Sequence, residues 1–227
     1  MTDEPSQALS IEVSGSGAVS ALLTTPASAH AAYVLAHGAG AGMHHSFMAG
    51  VASGLAQRGV ATLRFQFPSM EKGARRPDSP AVAHAAIRAA VATAARAAPG
   101  LALFAGGKSF GGRMTSQAQA LRALPDVRGL IFVGFPLHPA KRPADERARH
   151  LRDVAIPMLF LQGTRDDLAD LALLRPVVAG LGERATLTVF EHADHSFHVP
   201  ASSGRRDADI RAEMLDVIAT WIARQTI

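Results

Sequence analysis

A serine in a glycine-rich segment is the first feature of this sequence that could do chemistry. Residues 107–111 read Gly-Lys-Ser-Phe-Gly, after an apolar run at 101–105 and before a helical pattern. This is the G-x-S-x-G arrangement in the strand, turn and helix context that exposes a serine hydroxyl. The glycine two residues to either side leaves room for the sharp, strained turn. We therefore predict a nucleophile elbow with Ser109 at its tip.

Two other interpretations of this segment are weaker. A phosphate-binding Walker loop would need a glycine five residues before Gly107, where the sequence has Ala102. A glycine-rich turn that carries an incidental serine is the second alternative. Residues elsewhere in the chain decide between that turn and the elbow.

A carboxylate and an imidazole follow two later strand patterns. Residues 157–161 lead into a loop with Asp166, and residues 187–190 lead into a loop with His195. A serine hydroxyl is a poor nucleophile, so His195 would accept its proton. Asp166 would fix the imidazole tautomer and stabilise the imidazolium. Since the carboxyl ends of parallel strands meet in one crevice, the three residues can lie together.

Several acids compete for the role given to Asp166. It stands three residues after Gly163, the usual Gly-x-x-Asp spacing, and is preferred to the adjacent Asp167 for that reason. The other acids of these loops are Asp170, Glu191 and Asp194.

Three histidines at intervals of three residues could suggest metal ligands. They are His192, His195 and His198, and no carboxylate-rich motif accompanies them. Their segment has a loop pattern rather than a helical one. We therefore expect no metal and no cofactor.

A small-residue loop supplies the remaining part of the predicted site. Residues 37–42 read His-Gly-Ala-Gly-Ala-Gly, directly after the apolar run at 33–36. Such a loop typically provides one oxyanion donor, and the residue after the nucleophile provides the other. We predict that these donors are the backbone N–H groups of Ala39 and Phe110.

The elements that must position these residues form an alternating pattern. Residues 11–13 and 19–24 predict an opening hairpin. The later apolar runs lack strict alternation, as expected of parallel strands buried on both faces. The pattern predicts a single α/β domain over residues 1–227, a three-layer sandwich with a mostly parallel sheet. The predicted strands are 33–36, 60–65, 101–105, 130–133, 157–161 and 187–190, and the predicted helices are 45–58, 80–98, 110–124, 168–181 and 207–224.

Composition excludes several classes of function. The chain has 227 residues, of which 48% are hydrophobic and 19% are charged, with no cysteine. The absence of cysteine excludes disulfides, cysteine-bound zinc and a thiol nucleophile. The formal charge is +4, but basic residues alternate with acidic ones and no recognition motif accompanies them, so we expect no nucleic-acid partner.

The sequence gives no sign of export or membrane insertion. Residues 1–5 are polar and acidic, without the apolar core of a secretory signal. The alanine-rich run at 81–98 is interrupted by His84, Arg88 and Arg96, which argues against a membrane span. We expect a soluble cytoplasmic protein.

Taken together, these residues resemble the α/β-hydrolase superfamily, in which serine, aspartate and histidine follow one another in this order. More narrowly, the chain resembles small predicted hydrolases related to dienelactone hydrolase and to the hydrolase-like domain of an NSL chromatin-complex subunit. The resemblance implies a hydrolase site on Ser109, Asp166 and His195. Dienelactone hydrolase itself has a cysteine nucleophile, which this chain lacks. The matching segments are 37–42, 64–68, 70–73, 75–78, 106–113, 134–139, 162–166 and 194–197.

The same resemblance bears on the substrate entrance. In this superfamily a lid is usually inserted between the strands that here end near Phe135 and begin near Ile156. About twenty residues fill that gap, enough for one short helix or loop, so we expect a minimal lid or none. Arg75 and Arg76, in the loop at 69–80, could meet an anionic acyl group or form a solvated basic loop.

The leading hypothesis is a serine hydrolase that cleaves small to medium carboxylic esters or thioesters. Its partner would be a small acyl substrate. The alternative is a catalytically idle module of the same fold that binds another protein.

Overall fold

The computed structural model describes residues 5–226. Its strands are β1 (Ser6–Val13), β2 (Gly17–Thr24), β3 (Ala31–Ala36), β4 (Val60–Phe65), β5 (Ala102–Lys108), β6 (Val127–Val133), β7 (Met158–Gly163) and β8 (Ala185–Phe190). Its helices are α1 (Ser46–Ala56), α2 (Pro68–Glu71), α3 (Pro80–Ala97), α4 (Phe110–Leu121), α5 (Leu171–Gly180) and α6 (Asp207–Arg224).

The eight strands form one sheet in the order β1-β2-β4-β3-β5-β6-β7-β8. The hairpin partners β1 and β2 are antiparallel, and β2 also pairs antiparallel with β4. From β4 through β8 every neighbouring pair is parallel. The predicted fold class, an α/β sandwich with a mostly parallel sheet and an N-terminal hairpin, is confirmed.

Burial explains why the central strands appear as continuous apolar runs. All six residues of β3, β4 and β7 are buried, because helices cover both faces of the sheet. One hydrophobic cluster contains the buried faces of α3, α4 and α5, and a second contains those of α1 and α6. On α6 the predicted apolar stripe packs inward, with the Trp221 ring 5.8 Å from that of Phe104.

Helix ends differ from the predicted ones where polar side chains cap them. The first helix begins at Ser46 because the His45 ring accepts a hydrogen bond from the N–H of Phe47. The fifth begins at Leu171 because the Asp170 carboxylate accepts from the N–H of Ala172. The helix α2 has no counterpart among the predicted helices, since four residues are too few to show a helical period.

The entrance side of the sheet carries little extra structure. Residues 134–157, which connect β6 to β7, contain one 3-10 helix at Glu146–Asp153. This agrees with the expected minimal lid. Among residues 5–226, no helix combines the length and apolarity needed to cross a membrane. The acidic start used in the prediction about secretion lies outside the described residues, except for Pro5.

The join between β5 and α4 depends on two glycines. Gly107 has φ of 149°, and a Cβ there would lie 2.1 Å from the carbonyl oxygen of Ala36. A Cβ on Gly111 would lie 2.5 Å from the Ala36 oxygen and 2.6 Å from that of His37. The first turn of α4 therefore packs directly on the end of β3, and side chains at these two positions would prevent that approach.

We predict opposite effects of glycine-to-alanine substitution in two helices. Gly111→Ala should lower the free energy of unfolding by about 2–3 kcal/mol, because its new methyl group meets fixed backbone oxygens. Gly180→Ala, where a Cβ meets nothing within 4 Å, should raise that free energy by up to about 1 kcal/mol through helix propensity. The free energy of unfolding of both variants, measured in urea, tests the contact between α4 and the end of β3. A stabilising effect at Gly111 would contradict it.

Candidate active site

Ser109 lies at the turn between β5 and α4 in a strained backbone conformation. Its φ is 50° and its ψ is −114°, in a region that residues other than glycine rarely adopt. The Ser109 N–H donates to the carbonyl oxygen of Val133 at 3.1 Å, and the Ser109 carbonyl accepts from the N–H of Arg113 at 3.0 Å. The turn is thus held by backbone bonds on both sides, and the hydroxyl is left for other partners.

The structure brings Ser109, His195 and Asp166 together in one hydrogen-bonded chain. His195 Nε2 lies 2.9 Å from Ser109 Oγ. On the other side of the ring, His195 Nδ1 lies 2.7 Å from Asp166 Oδ2. The Asp166 side chain is fully buried, whereas that of His195 is 24% exposed. In this geometry Nδ1–H donates a hydrogen bond to the carboxylate, and Nε2 is free to accept the serine proton.

Hydrogen-bond donors around Asp166 reach both oxygens of its buried carboxylate. Its Oδ1 accepts a hydrogen bond from the N–H of Leu168 at 2.8 Å. Its Oδ2 also accepts from the side-chain amide of Gln162, a buried residue of β7. A carboxylate with donors on both oxygens can stay buried without a direct ion pair to lysine or arginine.

The competing acids are occupied elsewhere or exposed. Asp167 and Glu191 are exposed at the surface. Asp170 caps α5. Asp194 shapes the histidine loop by accepting from the N–H groups of Ser196 and His198, at 2.7 and 2.9 Å. Of the acids weighed from the sequence, Asp166 is the one in contact with His195.

The two histidines that flank His195 make hydrogen bonds to other residues. His198 pairs with Asp207 at 2.9 Å, a contact that raises the pKa of His198 and lowers that of Asp207. His192 is exposed, and its backbone N–H donates to the Thr164 hydroxyl. Within residues 5–226, no three His, Cys, Asp or Glu side chains gather as metal ligands would.

The loop after β3 passes directly beside Ser109. A Cβ built on Gly38 would lie 3.7 Å from the Cβ of Ser109, and Ala39 and Ser109 line the same cleft. Phe110 is the first residue of α4, so its N–H has no acceptor within the helix. Ala39 and Phe110 therefore both lie beside Ser109, and their role as oxyanion donors stays a prediction.

His37 fixes the start of this loop as a neutral imidazole. Its Nδ1–H donates to the carbonyl oxygen of Gly38 at 2.8 Å, and its Nε2 accepts from the N–H of Phe67 at 3.1 Å. Burial lowers the pKa of His37, which keeps the ring uncharged and able to accept at Nε2. His37 thus connects the loop to the end of β4 and does not reach the reacting atoms.

Two further anchors hold the same loop, and sequence analysis did not assign them. The Arg64 guanidinium, buried on β4, donates to the carbonyl oxygen of Met43 at 3.0 Å. The Gln66 side-chain oxygen accepts from the N–H of Met43, also at 3.0 Å. Both lie in the matched segment 64–68, which was the one signal that pointed to them.

An open and mainly apolar cleft leads to the hydroxyl of Ser109. Its volume is about 420 Å³. Arg75 and Arg76 lie outside it, exposed in a loop that Asp78 closes by accepting from the N–H of Ser69. Contact of these arginines with an anionic acyl group stays a prediction. The cleft is lined by Gly38, Ala39, Ala41, His45, Phe47, Met48, Lys108, Ser109, Leu168, His195 and Ser196.

Comparison with known proteins agrees with this fold. The profile of a family described as an alpha/beta hydrolase domain matches residues 29–223. The chain belongs to the α/β-hydrolase family. The predicted membership of that superfamily is therefore confirmed, and a hydrolase function is supported.

Solved structures that share this α/β-hydrolase fold cover nearly the whole chain. A dienelactone hydrolase from Anabaena variabilis is 20% identical with a TM-score of 0.78, over 98% of this chain and 99% of that one. An α/β serine hydrolase without a lid from Xanthomonas campestris is 22% identical with a TM-score of 0.74, over 97% of each chain. A cold-adapted esterase from an Arctic intertidal metagenomic library is 22% identical with a TM-score of 0.66, over 95% of this chain and 93% of that one. At these identities the likeness shows the fold.

We predict that His37 makes stability depend on pH. Because burial lowers its pKa in the folded state, the unfolded chain binds more protons as the pH falls below about 6.5. The stability contributed by neutral His37 is therefore present above that pH and lost on acidification. His37→Asn should cost about 1–3 kcal/mol at pH 7, since the N–H of Phe67 loses its acceptor, and should flatten this decline.

Urea midpoints measured between pH 7 and 5 check this expectation. The matched control is His44→Asn at an exposed position, which should keep the wild-type slope. His150, whose pKa burial lowers to about 4, contributes in the same direction in all three proteins. An unchanged slope in His37→Asn would contradict the assignment.

Proposed function

We propose that this protein is a serine hydrolase that cleaves small to medium carboxylic esters or thioesters through an acyl-enzyme on Ser109. The observation that carries the proposal is the chain of hydrogen bonds from Ser109 Oγ to His195 at 2.9 Å and from His195 to Asp166 at 2.7 Å. The strained φ of 50° at Ser109 adds support, because strain of this kind is typical of functional positions.

In the first half-reaction, Ser109 Oγ attacks the carbonyl carbon of the substrate while His195 Nε2 takes the hydroxyl proton. The carbonyl oxygen becomes an oxyanion and accepts hydrogen bonds from the N–H groups of Ala39 and Phe110. The tetrahedral intermediate collapses and the bond to the leaving group breaks. As this bond breaks, His195 gives its proton to the leaving oxygen or sulfur, and an alcohol or thiol departs.

The second half-reaction repeats these steps with water as the nucleophile. Water attacks the acyl carbon, His195 accepts a proton from it, and the ester bond to Ser109 breaks. The proton returns to Ser109 and a carboxylic acid leaves. Asp166 stays ionised throughout and stabilises the imidazolium.

The cleft supports a substrate of small to medium size. Its volume of about 420 Å³ suits a short or medium acyl chain, and Phe47, Met48 and Leu168 give it apolar walls. The short connection between β6 and β7 leaves the entrance open to solvent. A small or medium acyl group therefore fits this cleft better than a long lipid chain.

A covalent probe tests the nucleophile directly. We predict one fluorophosphonate adduct on Ser109, because a hydroxyl bonded to a histidine and facing an oxyanion hole is reactive. Ser109→Ala should abolish labelling, and His195→Ala should slow it by at least about 100-fold. The matched control is Ser196→Ala, which removes the other serine of the cleft and should label at the wild-type rate.

Mass spectrometry locates the adduct, and circular dichroism shows that each variant is folded. A folded wild-type protein that forms no adduct would contradict the proposal. The catalytically idle, protein-binding alternative would then be the better account.

The proposed reaction uses protein side chains alone, so it should not depend on a metal ion. We predict that initial rates of p-nitrophenyl butyrate hydrolysis are the same with and without a chelator. Loss of activity in EDTA that a divalent metal restores would indicate metal-assisted hydrolysis instead.

A further inference from the structure

Lys108 precedes Ser109, and its side chain reaches the loop that carries His195. Its Nζ donates a hydrogen bond to the backbone carbonyl oxygen of His195 at 2.5 Å. The same ammonium lies 5.6 Å from the ring centroid of Phe197. The last residue of β5 is thus bonded to the backbone of the residue that provides the base.

The neighbouring glycines leave space for this side chain. A Cβ on Gly134 would lie 2.9 Å from Lys108 Nζ and 3.4 Å from the His195 ring. A Cβ on Gly38 would lie 3.6 Å from Lys108 Cγ. The lysine therefore runs from the oxyanion loop to the histidine loop, through space that a side chain at position 134 would crowd.

Two carboxylates in the loops packed around the ammonium lie near it. Asp166, after β7, and Asp194, after β8, both favour its protonated form, but burial outweighs them and lowers the pKa of Lys108 to about 8. The His195 imidazole also borders the space that the ammonium occupies. The lysine is therefore a cation at neutral pH and loses its charge in mildly alkaline solution.

We propose that Lys108 is a positioning residue, whose ammonium holds the backbone of His195 so that the imidazole faces Ser109. This inference rests on the proposed serine hydrolase function. In the loop at 192–198, His192 and Phe197 have left-handed backbone conformations, with φ of 64° and 63°, and the lysine is bonded to the backbone between them. A hydrogen bond from a charged donor is stronger than one from a neutral donor.

Substitution of the lysine tests its role in turnover. Lys108→Met should lower kcat by ~10- to 100-fold with KM little changed, because displacing a reacting group by about 1 Å costs on the order of 100-fold. Wild-type activity should decline above about pH 8 as the ammonium loses its proton, and this decline should be absent in Lys108→Met. Lys72→Met, at an exposed position, removes the same charge and should match the wild type in both respects.

Chemical rescue separates the charge from the space that the lysine fills. Since the chain has no cysteine, Lys108→Cys provides a single thiol. Alkylation with 2-bromoethylamine restores an ammonium at nearly the original distance, whereas iodoacetamide adds a neutral amide to the same folded protein. We expect the aminoethylated form to be at least ~10-fold more active than the amide form, as a positioning charge requires.

Two results would overturn the inference. One is equal activity of the aminoethylated and amide forms. The other is a Lys108→Met variant with wild-type kcat and pH profile. Fluorophosphonate labelling distinguishes these failures from failure of the proposed function: a wild-type protein that labels on Ser109 keeps that function, whatever the lysine variants do. If Lys108→Met does not fold, the two alkylated forms still decide the question.

Discussion

The contact between the first turn of α4 and the end of β3 determines the geometry of the whole site. Gly107 and Gly111 let β5 and α4 approach the carbonyl oxygens of Ala36 and His37, where a Cβ would lie within 2.6 Å of oxygen. This contact sets the position of Ser109 at the turn. The loop with Ala39 starts from the same end of β3, so the proposed nucleophile and oxyanion donors derive from one packing arrangement.

A loop of glycine and alanine is not rigid by itself, because such residues restrict the backbone little. Here it is held by hydrogen bonds from outside: His37 connects it to Phe67, and Arg64 and Gln66 hold Met43. These anchors are buried or half-buried, with His37 directly after β3 and Arg64 and Gln66 on or next to β4. The sheet thus supplies the rigidity that preorganised oxyanion donors need, and the neutral state of His37 is part of that support.

Most of the fold could be predicted because strands buried on both faces of the sheet appear in the sequence as continuous apolar runs. The apolar runs gave every strand from β3 to β8, and the carboxyl ends of those strands bring Ser109, Asp166 and His195 to one edge. The roles of Arg64 and Lys108 could not be predicted, because they depend on where a side chain points and on loops distant in sequence. The start of α5 was misplaced because several acids of one loop could cap it, and Asp170 does.

Exposure differs along the proposed catalytic chain: Asp166 is buried, whereas His195 and Ser109 are partly exposed. The Asp166 side chain is fully buried among fixed donors, so its charge is held in place without water. The His195 side chain is 24% exposed, and Ser109 lines an open cleft. Hydrolysis of an acyl-enzyme requires water at the reacting carbon, which an open cleft provides. Lys108 acts on the backbone of His195, so in this arrangement the base can be held firmly while its reacting nitrogen stays accessible to water.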